Sequence, residues 1–134
     1  MSEVRKILTK AMRLASQSKD GEALEELERG LKESKKGGDN EGAAILARNA
    51  ALICERMGKL RKATQYYEAS LKLNPQASIA WLALGSLYSR QGKKAKAQSF
   101  LKAGYELATK QHDAEMLEVF ERAGFRRGDK SPGV

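Results

Sequence analysis

Cysteine occurs once, at position 54, so no internal disulfide can form and nothing in the chain asks for an oxidising compartment. Cytoplasm is therefore the default location. Histidine also occurs once, at 112, and neither residue has the companion that would activate a nucleophile or complete a metal cluster. Cys54 reads as a small buried hydrophobe and His112 as a surface residue at a helix boundary. The longest strongly apolar run, residues 79–84, falls far short of the roughly 18 residues that a membrane span requires. Gly37-Gly38 has no phosphate-loop lysine or dinucleotide fingerprint around it. The acidic run Glu22, Glu25, Glu26, Glu28 lacks the Asp/Asn/Gly order of a calcium loop. These absences leave no catalytic constellation, so a non-enzymatic chain without cofactor or metal is expected.

Two prolines in 134 residues leave room for long helices, and 41% apolar content excludes a disordered or collagen-like chain. That length corresponds to one domain, able to bury roughly two thirds of its unfolded surface. The net charge of +8 is unevenly placed: residues 1–41 balance at nine basic and nine acidic, residues 42–110 carry twelve and three, and residues 111–134 four and five. Such a field favours an anionic partner, or it keeps a small protein soluble.

Apolar residues at helical spacing predict a first helix over 3–18, with Val4, Ile7, Leu8, Ala11, Met12 and Leu14, and a break over 16–21. The N-terminal stretch is basic and amphipathic in the manner of a transit peptide, but Glu3 is acidic and the segment is needed as a helix. A second helix over 22–36 places glutamates at its N-terminal end and Lys35 and Lys36 at its C-terminal end, in keeping with the helix dipole. Asp39 or Asn40 can cap an alanine-rich third helix running to about 57. A fourth helix over 60–73 ends at Asn74-Pro75, because proline prevents continuation. Helices over 77–91 and 94–110 are joined at Gly92. A short seventh over 113–123, with Met116, Leu117, Val119 and Phe120, reads as a cap on a helical stack, with Phe125 packed against it. Residues 125–134 read as a flexible tail.

The stretch 80–104 organises the chain. It carries Trp81, Leu84, Gly85 and Tyr88, then Gly92, Ala97, Leu101 and Gly104. A shift of 34 residues superposes Gly58 on Gly92, Ala63 on Ala97, Tyr67 on Leu101 and Cys54 on Tyr88. On these residues the chain resembles the tetratricopeptide repeat family, whose pattern is W-x2-L-G-x2-Y followed by G, A, an aromatic, A and P. The resemblance implies an all-α fold, a right-handed α-solenoid of about three helical hairpins plus a C-terminal capping helix. The domain would span residues 1–124, with repeats at 4–37, 44–77 and 78–111 and the cap at 112–124. Leu14, Ala23 and Leu27 precede their counterparts Cys54, Ala63 and Tyr67 by 40 residues rather than 34, which places about six extra residues in the connection.

In this family the first helix of each hairpin lines a concave groove. The resemblance therefore implies a groove bearing Arg5, Leu8, Met12, Ile45, Arg48, Asn49, Leu52, Arg56, Ile79, Leu82, Ser86 and Arg90. Its apolar members suit a partner's peptide or amphipathic helix, with the arginines as a rim for acidic groups. Self-association, coverage by the chain's own C-terminal segment and plain core are the alternatives. Co-chaperone members grip an acidic C-terminal tail with basic and asparagine side chains. Asn49 matches the central asparagine of that clamp, whereas Leu8, Met12, Ile79 and Ala83 depart from it, so a more hydrophobic mode is expected. A second candidate surface is a basic ridge of Lys59, Arg61, Lys62, Lys93, Lys94 and Lys96, in which positions 59 and 93, and 62 and 96, are 34 apart. It would take an acidic protein or nucleic-acid phosphates, or it is simply a solvated turn edge. Bases would lack stacking partners, since Tyr66, Tyr67, Trp81 and Tyr88 fall at packing positions.

Overall fold

The computed structural model describes residues 2–125; of the flexible tail expected over 125–134, Phe125 is buried and residues 126–134 lie outside the described residues. Among the described residues there are seven helices and no strand: α1 (Ser2–Ser16), α2 (Asp20–Lys36), α3 (Asn40–Arg56), α4 (Leu60–Leu73), α5 (Ser78–Arg90), α6 (Lys94–Lys110) and α7 (Ala114–Arg122). The architecture is the all-α helical repeat that the sequence predicts.

Six helix ends are built alike. After α1, α2, α3, α5, α6 and α7, one residue turns left-handed: Ser18, Gly38, Gly58, Gly92, His112 and Gly124, with φ between 54° and 100°. The next backbone N–H then donates to the carbonyl five residues earlier, as in Lys59 to Cys54 at 2.8 Å and Lys93 to Tyr88 at 2.9 Å. This is the Schellman termination, which satisfies carbonyls that the last helical turn would otherwise leave open. Glycine enters the left-handed region without a Cβ penalty, whereas Ser18 and His112 do so at a cost. The end of α4 differs. Asn74 and Pro75 carry the chain onward without a left-handed residue, and here it divides into two compact units, Met1–Pro75 and Gln76–Val134.

In the first unit, α3 lies between α2 and α4, with α1 beside α2 and α3. Its alanines at 43, 44, 47, 50 and 51 are all buried, as are Leu46 and Cys54, so the helix is apolar nearly all round because it is covered nearly all round. Gly30 of α2 permits close approach: a Cβ there would sit 2.7 Å from the Ile7 side chain and 3.2 Å from Leu46. In the second unit, Leu101, Ala108, Phe120 and Phe125 form the buried cluster that joins α6 to α7. Gly104 makes that junction fit, since a Cβ there would meet the Phe120 ring and come within 2.7 Å of Trp81. Full burial of a large apolar side chain such as Phe120 stabilises by roughly 1.5–3 kcal/mol.

The extra residues of the first repeat are not in a connection. Helix α2 has 17 residues against 14 in α4, and α3 has 17 against 13 in α5, while the α2–α3 turn is one residue shorter than the α4–α5 link. Each helix is longer by about one turn. An insertion of three or four residues restores the same face to the core, so lengthening a helix by a full turn preserves packing. Gly21, expected in the break after α1, lies inside the first turn of α2.

Candidate functional site

Within the first unit, α1 and α3 enclose a cavity of about 250 Å³. Five of the expected groove residues meet there: Leu8, Met12, Asn49, Leu52 and Arg56. Its floor is made of Ala11, Ala15, Leu27 and Ile53, all buried. The small α1 side chains leave the space, and Leu27 of α2 closes it from below. Its walls stay open to solvent: Met12 is 64% exposed and Leu52 47%. Ile45 and Arg48 are half-buried and Arg5 is exposed, and none of the three lines the cavity.

Two polar members are already engaged. Repeat spacing leaves Arg56 without a partner inside the repeat, but the fold supplies one. Its guanidinium donates to the Ala15 carbonyl at 3.3 Å and lies 3.4 Å from Asp20 Oδ1, an oxygen shielded from solvent that accepts no hydrogen bond. Arg56 thus ties the α1–α2 turn to the end of α3. Asn49 donates its amide N–H to the Ile45 carbonyl at 2.8 Å, within its own helix. The rim is polar, but its positive charge is partly compensated from inside.

In the second unit, Ile79 is 41% exposed. Leu82 is half-buried and packs against the Leu101, Ala108, Phe120 and Phe125 cluster, so the chain's own C-terminal helix takes up a side chain expected to await a partner. Ser86 and Arg90 are exposed and line a separate cavity of about 350 Å³ between α5, α6 and the end of α7. Ser89 and Gln98 also line it; Gln98 escapes sequence reasoning because no repeat landmark marks it.

The basic positions do not act alike. Lys59 and Arg61 are exposed, whereas Lys62 lies 3.3 Å from the Glu28 carboxylate. Glu28 also accepts a hydrogen bond from the Tyr66 hydroxyl. At the equivalent turn of the second unit, the Lys96 and Lys93 ammonium groups stand 4.5 and 5.9 Å from the centre of the Tyr88 ring. Cys54, in the place of Tyr88, has no ring to offer, and Lys62 turns to Glu28 instead. Burial pushes the Cys54 thiol pKa up, against the opposing charges of Lys62 and Lys59, which keeps it protonated. Lys94 faces the second cavity. Tyr67 and Tyr88 are buried, and Tyr66 and Trp81 are half-buried.

Among the described residues, no group of three His, Cys, Asp or Glu side chains could hold a metal ion, and no helix is long and apolar enough to cross a membrane. Paired antiparallel helices with recurring small residues at their contacts define a helical-hairpin repeat protein. Residues 56–118 match the family model of the tetratricopeptide repeat. Solved structures share the fold: the apo form of RapI (TM-score 0.79, 21% identity, 93% of this chain and 48% of that one) and pilF of Pseudomonas aeruginosa (0.64, 19%, 90% and 59%). The Sgt2 TPR domain from Aspergillus fumigatus is also similar, with TM-score 0.68 and 18% identity over all of this chain and 92% of that one. Over residues 56–118 the chain therefore resembles the tetratricopeptide repeat family, and its fold is similar to that of the solved TPR domain. It spans about half the length of the RapI chain, and no curated protein matches it in sequence.

Proposed function

We propose that the chain is a non-enzymatic protein-interaction scaffold whose first unit binds a partner through the α1–α3 groove. The observation that carries this reading is the cavity with a buried apolar floor and exposed walls at Met12 and Leu52. Its volume of about 250 Å³ suits one or two apolar side chains, so a peptide or amphipathic helix would insert a bulky anchor between those walls. Exposed Arg5 and Arg13 on α1 have no ion-pair partner among the described residues, which favours acidic residues beside the anchor. The tetratricopeptide repeat match supports a scaffold of this general kind.

The test is a peptide-display selection against the 134-residue chain, followed by titration of the selected peptides against Leu52→Asp and Met12→Asp variants. Peptides with a large apolar residue should emerge, and either substitution should weaken them by about ten-fold or more, since it places a carboxylate against an apolar surface. Helicity by circular dichroism should not change. Peptides that bind both variants as well as the parent would place the binding surface elsewhere.

A further inference from the structure

The α1–α3 groove is closed at one end and propped at the other. We propose that Arg56 is the prop: it sets how far apart the C-terminal ends of α1 and α3 stand, and so decides which size of apolar anchor the groove takes. This role rests on the groove being the binding site, as proposed above, and makes Arg56 a positioning residue within it.

The closed end is a direct approach of the two helices. Gly42, in the first turn of α3, leaves so little space that a Cβ there would come within 2.8 Å of the buried Val4 side chain, in the first turn of α1. Farther along, from Leu8 and Asn49 to the ends of both helices, a space of about 250 Å³ opens between them. Ala11 and Ala15, over its floor, are too short to fill it. Apolar walls gain by closing over such a space, because burial and dispersion both reward contact. Something must therefore hold them apart.

Arg56 stands where it can do so. Helices α1 and α3 end side by side, at Ser16 and Arg56, and each presents the negative end of its dipole there. Two such ends repel, and a guanidinium between them is attracted to both. It donates to the Ala15 carbonyl at 3.3 Å and lies 3.4 Å from Asp20 Oδ1 at the start of α2. A carbonyl of α1 and a carboxylate of α2 thus fix a side chain of α3. Arg56 also lines the cavity, so where it is fixed decides where the cavity ends. The same contacts argue against Arg56 as a grip for the partner's acidic groups. An incoming carboxylate would have to share the guanidinium with Asp20, whose charge repels it. Without the guanidinium the two ends lose their common counter-charge, and the last turn of α1 is free to move.

The experiment uses peptides selected on the parent chain, each remade with tryptophan or leucine as the anchor and with glutamate or glutamine beside it. These are titrated against the full chain and its Arg56→Met, Arg56→Lys and Asp20→Asn variants. Arg56→Met should weaken all of them by about five-fold or more, because a preformed site is lost, and should shift the tryptophan-to-leucine ratio toward tryptophan by about three-fold, because an end wall that can move back admits the larger ring. Arg56→Lys should fall between, since an ammonium keeps the charge without the planar fork. Asp20→Asn should weaken glutamate and glutamine peptides alike. A lower thermal midpoint with an unchanged anchor ratio in all three variants would mean that the tie serves stability alone, and would overturn the proposal. Losses confined to the glutamate peptides, with Asp20→Asn binding them more tightly, would overturn it as well and make Arg56 a ligand of the partner. Leu52→Asp keeps the two readings apart. Peptides that ignore both Leu52→Asp and Arg56→Met bind outside the groove and end both readings, whereas peptides weakened by Leu52→Asp alone end only the role of Arg56.

Discussion

Tyr67 shows how much one side chain's chemistry depends on its surroundings. It is 1% exposed, and its hydroxyl donates to the Glu55 carboxylate at 2.6 Å. Burial first, then the hydrogen bond and the charge of Glu55, raise its pKa above the usual value near 10, while Arg48 pulls the other way. The neutral phenol is thus favoured in the folded protein. The fold keeps a proton that the unfolded chain loses near pH 10, so this contribution to stability is complete below that pH and is lost as pH rises beyond it. Tyr66, bonded to Glu28, is shifted in the same direction. Urea midpoints of the parent and Tyr67→Phe, compared at pH 8 and pH 11, check this. The alkaline loss should be smaller in the variant, and equal losses would mean that lysine deprotonation alone accounts for it. Repeat spacing places Tyr67 in the core, but spacing cannot show that Glu55, twelve residues earlier, meets its hydroxyl.

Helix starts fall into two kinds. Asp39 and Asp113 accept from the backbone N–H of Gly42 at 2.9 Å and of Met116 at 3.1 Å, closing the first turns of α3 and α7. Helices α4 and α6 follow Lys59 and Lys93, which give no capping bond, and neither has an acidic residue in its first turn. A lysine there also sets a positive charge against the positive end of the helix dipole. Replacing Lys59 with Asp should therefore stabilise by about 0.5–1 kcal/mol, and Asp113→Ala should destabilise by about 1 kcal/mol. Thermal midpoints read both, and unchanged midpoints would contradict the capping account. The nine-residue α7 should also lose hydrogen-exchange protection in Asp113→Ala, since it has few turns over which to absorb a lost cap. At this scale the sequence is highly legible, because caps, breakers and apolar periodicity are local. What it leaves ambiguous, the added turns of α2 and α3, involves a choice between loop and helix that both satisfy the same periodicity.

Among the described residues, the exposed large hydrophobics are few. They are Met12 and Leu52 in the first unit and Ile79 and Val119 in the second, against a net charge of +8. A stable homodimer ordinarily buries about 800 Å² per partner, more than isolated side chains of this kind supply. Light scattering across a concentration series at two salt concentrations should accordingly give the single-chain mass of 14.8 kDa. A doubled mass would mean that a second copy fills the apolar groove, and the search for a peptide partner there should stop.

The repeat, the helical class, the number of helices and most of the core are determined by the sequence alone, because a helix records its buried face every three or four residues and the hairpin records itself every 34. Which polar groups remain open to a ligand is not. Arg56 reaches Ala15 across 41 residues, Tyr66 reaches Glu28 across 38, and Leu82 is covered by a cluster that ends at Phe125. Each is a contact between helices, set by crossing geometry and side-chain reach rather than by period. Tertiary packing therefore decided that Lys62 pairs with Glu28 and that Lys96 stands over Tyr88, while Lys94 faces a cavity.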